Sequence, residues 1–133
     1  MTKKNPRILV IEDNKFDIAK IVMKLEKYSN EVTYTTSAES GLIIYKGAIM
    51  VSRPYDILLT DILLPGKDGK ELIHEIRNIE KELQSHHIKI IAMSADKPEK
   101  HVLETCKLGA GGYLIKPISD EKLDEVMMKT GLI

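Results

Sequence analysis

The chain has 133 residues, 43% of them hydrophobic, which predicts a single domain, residues 1–133, with a core of its own. Its 20 basic and 20 acidic residues leave no net charge, which argues against a basic surface for direct binding of nucleic acid. The one cysteine excludes an internal disulfide and fits a reducing compartment. No apolar run approaches the roughly 18 residues of a membrane-spanning helix, and the N-terminal residues lack the apolar stretch of a signal peptide. We therefore expect a soluble cytoplasmic protein.

Short apolar runs alternate with helical patterns along the whole chain. Such alternation is typical of a parallel sheet covered by helices, an α/β fold. Four of the runs predict strands buried on both faces, and a fifth segment alternates with period two. In chain order the five predicted strands are residues 8–11, 31–35, 57–60, 88–93 and 113–115. The patterns between and after them predict five helices.

The predicted helices have recognisable starts. Asn14, Ser37 and Ser119 each precede a helical pattern and are residue types that cap helix N-termini. Apolar residues recur at spacings of three and four from Phe16 to Tyr28, which predicts the buried stripe of the first helix.

The fourth helix is predicted from Pro98, which suits a first helical turn. The spacing places Val102, Leu103 and Cys106 on its inner face. A cysteine at such a position is expected to be buried and inert.

Two segments are long for connections, residues 46–55 before the third strand and residues 81–87 before the fourth. Surface loops accept extra length at little cost in free energy. We therefore expect plain loops there rather than partner contacts.

Residues that can do chemistry follow four of the predicted strands. Glu12 and Asp13 follow the first strand, Asp61 the third, Ser94 the fourth and Lys116 the fifth. In open parallel sheets, ligands bind outside the carboxyl ends of the strands. If these strands are neighbours, three carboxylates, one hydroxyl and one ammonium group meet there. This predicts a site for a divalent cation and a phosphoryl group.

Each of these side chains suits such a site. The carboxylates of Glu12 and Asp13 are oxygen ligands of the kind that magnesium takes. Asp61 is a competent nucleophile toward a phosphoryl group and would give an aspartyl phosphate. Ser94 can donate to a phosphoryl oxygen, and Lys116 offers a compact positive charge. Taken singly, each is better explained as an ordinary strand-end or turn residue, so the prediction depends on their joint placement.

The motifs around these residues resemble those of the receiver domain of two-component response regulators. The resemblance covers nearly the whole chain, and the motifs occur in the order of the family. The matching segments are residues 8–14 (ILVIEDN), 59–69 (LTDILLPGKDG), 91–95 (IAMSA) and 109–117 (GAGGYLIKP). The fold that the resemblance implies is flavodoxin-like: a doubly wound, five-stranded parallel sheet in the order 2-1-3-4-5 with five helices.

The resemblance also implies a metal site and a phosphoacceptor. Asp61 matches the phosphoacceptor of the family. Glu12 and Asp13 match the acidic pair that binds Mg²⁺, together with Asp61 and the backbone carbonyl of Leu63. Glu12 stands where many members have aspartate, which keeps a carboxylate in the site.

Other positions match the switch of the family. Lys116 matches the phosphate-binding lysine, Ser94 the switch hydroxyl, where many members have threonine, and Tyr113 the switch aromatic. Leu63 and Asp96 flank the path expected for an attacking water, so we expect them to set the lifetime of the phosphorylated form.

By this resemblance the chain is a phosphoacceptor of a two-component or phosphorelay system and not an enzyme. Its phosphoryl donor would be a phosphohistidine on a histidine kinase or histidine phosphotransfer domain. Phosphorylation would change the surface of the fourth helix, fifth strand and fifth helix. A downstream protein target and a phosphorylation-dependent homodimer stay open. No output domain is recognised in this chain.

Two other functions fit parts of the pattern. An aspartate-nucleophile phosphohydrolase usually needs a second acid two residues after the nucleophile, and Leu63 at that position argues against it. A receiver-like interaction module that is never phosphorylated is the second alternative. The presence of every expected acidic and basic group argues against that one.

Overall fold

The computed structural model describes residues 5–95 and 99–133. In these residues, five parallel strands form one sheet in the order β2-β1-β3-β4-β5. The strands are β1 (Ile8–Ile11), β2 (Val32–Thr35), β3 (Ile57–Asp61), β4 (Lys89–Ser94) and β5 (Gly112–Ile115). The helices are α1 (Lys15–Leu25), α2 (Ala38–Met50), α3 (Gly69–Leu83), α4 (Glu99–Leu108) and α5 (Asp120–Lys129). The predicted fold class, strand order and number of helices are confirmed.

The strands are apolar runs because both faces of the sheet are covered. Successive side chains of a strand point to opposite faces. Leu9 and Ile11 of β1 pack into a core with α2 and α3, whereas Ile8 and Val10 pack into a second core with α1 and α5. All four side chains are fully buried. A strand of this kind cannot show the polar and apolar alternation of a half-exposed sheet.

The predicted helix caps are present. The side chains of Asn14, Ser37 and Ser119 each accept a hydrogen bond from the backbone N–H three residues on, at 3.0, 3.1 and 3.2 Å. Each bond satisfies an N–H group that the helix itself leaves without a partner. The cap at Asn14 starts α1 almost directly after the end of β1.

The expectation of long loops at residues 46–55 and 81–87 is wrong. α2 continues through Met50 and α3 through Leu83, so the connections that remain are the short segments 51–56 and 84–88. Ala48 in α2 and Ile79 in α3 are still buried, and continued packing of this kind supports the extra turns. α3 ends where Gln84 takes a left-handed conformation with φ of 51°.

Three residues predicted to face inward on helices are exposed, although Ile18, Ile21 and Leu25 of the predicted α1 stripe are buried. On α4, Cys106 and Leu103 are exposed, whereas Thr105 is fully buried. Thr105 can be buried because its hydroxyl donates to the carbonyl of Val102 at 3.1 Å, which satisfies it locally. On α1, Phe16 is 79% exposed and lies outside the buried stripe.

Two further expectations, Pro98 in the first turn of a helix and a role for Asp96, lie outside the described residues. Within the described ranges, no helix is both long and apolar enough to cross a membrane.

Candidate functional site

The carboxyl ends of four strands lie level with one another at one edge of the sheet. The register pairs Ile11 of β1 with Thr60 of β3, and Ser94 of β4 with Ile115 of β5. The residues at and just beyond these pairs are the predicted site residues. The strand order therefore brings side chains that are far apart in the sequence to one place.

Lys116, the first residue after β5, lies at the centre of the site. Its Nζ donates to Asp61 Oδ2 at 2.6 Å, to Glu12 Oε1 and to Asp17 Oδ2 at 3.4 Å. Glu12 and Asp61 are both buried. Hydrogen bonds between charged groups shielded from water are stronger than neutral ones. The lysine therefore ties the ends of β1, β3 and β5 together.

The surroundings of Glu12 disfavour the ionised form of its carboxyl group. Burial raises the pKa of Glu12 to about 7, because little water reaches the carboxylate. Hydrogen bonds from Lys116 and from the backbone N–H of Asn14, at 3.1 Å to Oε2, lower the pKa again but offset only part of the rise. The neighbouring charge of Asp61 adds to the rise. A cation placed beside Glu12 would favour its ionised form.

Burial and hydrogen bonding each act on the pKa of Lys116 in the direction opposite to their effect on Glu12. Burial alone would lower its pKa, but the hydrogen bonds to Asp61 and Glu12 outweigh burial and hold the pKa of Lys116 above its ordinary value. The ammonium is therefore charged throughout the physiological range and available to an anionic group.

The acidic side chains form a compact cluster. One carboxylate oxygen from each of Glu12, Asp13 and Asp61 lies within 4.8 Å of the others. Three carboxylates are the hard oxygen donors that Mg²⁺ prefers, and the exposed Asp13 leaves one side open to water ligands. The donor set fits a divalent cation of this kind.

The backbone after β3 holds Asp61 in place. The N–H of Leu63 donates to Asp61 Oδ1 at 2.9 Å, and the N–H of Gly69 donates to the carbonyl of Ile62 at 2.7 Å. A Cβ at position 69 would lie 2.7 Å from the Cα of Ile62, so glycine allows the start of α3 to approach the strand end. The Leu63 carbonyl as a metal ligand stays a prediction.

Comparison with known proteins identifies the family. The family model of the response regulator receiver domain matches residues 8–128. The chain belongs to the receiver domain family. This confirms the resemblance of the sequence motifs, and the chain functions as a phosphoacceptor module of two-component signalling.

Relatives of this receiver domain occur in proteins of very different size. The sensor histidine kinase GacS of Pseudomonas protegens is 29% identical over 133 residues, which is 99% of this chain and 14% of the kinase. The chemotaxis protein CheY-3 of Vibrio cholerae is 27% identical over 127 residues, 92% of both proteins. The chain thus spans a small part of the sensor kinase but nearly all of the chemotaxis protein.

Solved receiver domains share the fold. The receiver domain of the histidine kinase CKI1 from Arabidopsis thaliana, complexed with Mg²⁺ and BeF₃⁻, has a TM-score of 0.78 at 26% identity over 92% of this chain and 90% of that one. A putative response regulator from Chloroflexus aurantiacus has a TM-score of 0.80 at 22% identity, covering 98% of this chain and all of the other.

The two predicted switch residues of the receiver domain lie on β4 and β5. Ser94 is fully buried, and its carbonyl accepts a hydrogen bond from the backbone N–H of Lys116 at 2.8 Å. The hydroxyl of Tyr113 is buried and has no hydrogen-bond partner among residues 5–95 and 99–133. The tip of the Tyr113 ring is therefore covered, while the residue as a whole is half-buried.

Sequence reasoning missed Asp17, the third carboxylate on Lys116. A signal was present, because Asp17 lies four residues after Asp13, one helical turn along the predicted first helix. In the structure α1 begins only at Lys15 after the Asn14 cap, so this spacing does not by itself place the two acids on one face. The missing information was that the Lys116 side chain reaches this turn.

Proposed function

We propose that Asp61 is the residue of this receiver domain that accepts the phosphoryl group. The observation that carries the proposal is the contact of 2.6 Å between Asp61 Oδ2 and the Lys116 ammonium, beside the acidic cluster of Glu12, Asp13 and Asp61. Phosphoryl transfer needs mainly alignment and charge neutralisation, and these groups provide both.

In the proposed reaction, a carboxylate oxygen of Asp61 attacks the phosphorus of a phosphohistidine on a histidine kinase or phosphotransfer domain. The P–O bond forms as the P–N bond breaks, and the leaving imidazole nitrogen takes up a proton from solvent. The products are an aspartyl phosphate and a neutral histidine. The attacking carboxylate oxygen carries no proton to remove, so no general base is needed.

Several groups around Asp61 would stabilise the negative charge of the phosphoryl oxygens. Glu12, Asp13, Asp61 and the Leu63 carbonyl would hold Mg²⁺, which supplies charge neutralisation for the phosphoryl oxygens when it is bound. Lys116 exchanges its bond to Asp61 for bonds to the new phosphoryl oxygens. The Ser94 hydroxyl donates a further hydrogen bond to them.

In this proposal, phosphorylation changes the conformation of one surface of the domain. The movement of Ser94 toward the phosphoryl group displaces the segment after β4, and Tyr113 fills the space that is left. The affected surface consists of α4, β5 and α5. Phosphorylation then biases an equilibrium between two arrangements, because it adds contacts in one of them. Leu63 and Asp96 are proposed to set how long the modification lasts.

The wider setting is also part of the proposal. The whole of residues 1–133 acts as one cytoplasmic receiver domain, which binds a kinase or phosphotransfer partner and no nucleic acid. It is a phosphoacceptor and not a phosphatase in this proposal, so a steady-state assay with p-nitrophenyl phosphate should show no release of phosphate above the rate without protein.

Mass spectrometry of the intact chain tests the assignment. Incubation with Mg²⁺ and acetyl phosphate should add one phosphoryl group, and hydroxylamine should remove it, because an aspartyl phosphate is a reactive acyl phosphate. Asp61→Asn keeps the size and a hydrogen-bond acceptor for Lys116 but should gain no mass.

Glu125→Gln is the matched control, because it removes one exposed carboxylate of α5 that pairs with Lys122 and Lys129, far from the site in sequence. It should be phosphorylated like the wild type. A phosphoryl group of equal yield on Asp61→Asn, or none on the wild type, would contradict the proposal.

A further inference from the structure

The Lys116 ammonium has three N–H donors, and three carboxylates surround it. Two of them, Glu12 and Asp61, belong to the acidic cluster that fits a divalent cation. The third is Asp17 on the first turn of α1, with Oδ2 at 3.4 Å from Nζ. Among the described residues, Asp17 is the carboxylate on Lys116 that does not belong to the cluster.

A divalent cation and Lys116 would bind the same two carboxylates. Both need the carboxylates of Glu12 and Asp61, and two cations at short range repel each other. The ammonium must therefore loosen its contact with at least one of these groups when the metal binds. It must still stay close to Asp61 if it is to meet a phosphoryl group there.

The surroundings of Asp17 suit a second position for the ammonium. Asp17 and Lys116 both line a cavity of about 270 Å³ beside the acidic cluster, with Ile21, Met93 and Ile118 among the other lining residues. The cavity gives the lysine side chain room to turn without displacing packed atoms. The backbone of Asp17 is fixed at the start of α1, because its N–H donates to the side chain of Asn14 at 3.0 Å.

We propose that Asp17 is a positioning residue for Lys116: it holds the ammonium when Mg²⁺ takes Glu12 and Asp61, and keeps the lysine beside the phosphoacceptor. The inference rests on the metal site of the proposed function. Asp17 would increase the affinity for Mg²⁺ indirectly, by binding the lysine ammonium, although Asp17 is not itself a metal ligand.

A double-mutant cycle with Mg²⁺ alone tests this inference. Isothermal titration calorimetry would give the Kd for Mg²⁺ of the wild type, Asp17→Asn, Lys116→Gln and the double variant. Asp17→Asn should raise the Kd about two- to fivefold, the size expected for a partly exposed ion pair. In the Lys116→Gln background the same change should raise the Kd by less than about 1.5-fold, because there is no ammonium to hold.

Conservative variants separate positioning from a general loss of negative charge. Asp17→Glu keeps a carboxylate within reach of Lys116 and should restore a Kd close to that of the wild type. Glu26→Gln removes an exposed acid at the far end of α1 and should leave the Kd unchanged.

An equal effect of Asp17→Asn with and without Lys116 would overturn the inference, because it would show a long-range field effect only. An unchanged Kd in Asp17→Asn would overturn it as well, and would leave the metal site of the proposed function intact. A wild-type chain that binds no Mg²⁺ would overturn both.

Discussion

Glu12 lies at the end of β1 with 1% of its surface exposed, and it faces both an ammonium and two other acids. Burial raises the pKa of Glu12 to about 7 in the metal-free chain. Metal ions bind the ionised carboxylate, so binding must displace a proton from Glu12 wherever the pH lies below this pKa. The affinity for Mg²⁺ is therefore coupled to pH in the physiological range.

We expect the association constant for Mg²⁺ to rise about tenfold between pH 6 and pH 8 and then to level off, as Glu12 becomes ionised before the metal arrives. Calorimetry in two buffers of different ionisation enthalpy at pH 6.5 should show release of a proton on binding. The release should disappear above pH 8.

Two substitutions test whether Glu12 causes the pH dependence of Mg²⁺ affinity. Glu12→Gln should bind Mg²⁺ more weakly with little pH dependence over the same range, because it cannot titrate. Asp13→Asn also loses a carboxylate but keeps Glu12, so it should bind more weakly while retaining the rise with pH. A wild-type affinity that is flat from pH 6 to pH 8 would rule out the raised pKa of Glu12.

At the scale of single residues, the sequence was informative where chemistry and strand ends coincide. Glu12, Asp61 and Lys116 were predicted to meet because each follows an apolar run, and the structure shows their contacts. Cys106 was misplaced because helical spacing alone cannot show that the neighbouring Thr105 satisfies its own hydroxyl and can be buried. Asp17 was missed because the reach of a lysine side chain is not visible in a pattern.

At the scale of elements, Arg77 links three parts of the fold. Its guanidinium donates to both carboxylate oxygens of Glu80 at 2.8 Å, to the carbonyl of Ile88 at 3.0 Å and to the carbonyl of Gly109 at 2.6 Å. Glu80 is buried and also accepts from the backbone N–H of Ile88 at 2.7 Å. One side chain of α3 thus fixes the start of β4 and the turn between α4 and β5.

Arg77→Met should lower the free energy of unfolding by about 3–5 kcal/mol, because it leaves the buried Glu80 carboxylate without its counter-charge. Urea denaturation followed by far-UV circular dichroism would measure the change. The loss should appear as a lower midpoint with little change in slope, since the fold and its buried area stay the same.

The double variant Arg77→Met with Glu80→Gln should recover part of the loss. It removes the unpaired charge while the glutamine amide oxygen can still accept from Ile88 N–H. A single variant within about 0.5 kcal/mol of the wild type would show that water or another group compensates Glu80 and that the network contributes little.

The elements themselves could be predicted to different degrees. Buried strands such as β1 and β3 can be predicted from their apolar runs, because both of their faces need apolar residues. The starts of capped helices such as α1 can be predicted from the capping residue. The lengths of the connections after α2 and α3 were overestimated, because the helices run through Met50 and Leu83 and leave only short segments before β3 and β4. The Arg77 network joins groups up to 32 positions apart, and no local pattern predicts it.

At the scale of the whole molecule, folding concentrates negative charge in a chain with no net charge. Glu12 and Asp13 follow β1 and Asp61 ends β3, so the acidic cluster exists only when the sheet has formed. The strand order that creates it came from the resemblance of the motifs, since apolar runs alone do not say which strands are neighbours. A cation that needs the assembled cluster binds the folded chain and not the unfolded one.

Mg²⁺ should therefore stabilise the whole fold by mass action. At a concentration about 100 times its Kd, it should raise the free energy of unfolding by about 2.7 kcal/mol, measured by urea denaturation at pH 8, where Glu12 is ionised. Asp13→Asn should gain clearly less at the same Mg²⁺ concentration, because it keeps the fold but binds the ion more weakly. NaCl of equal ionic strength is the control for screening of surface charges and should give a much smaller change. If Asp13→Asn gained as much as the wild type, the stabilisation would arise outside the acidic cluster, because a loss of one ligand must lower the affinity on which the gain depends.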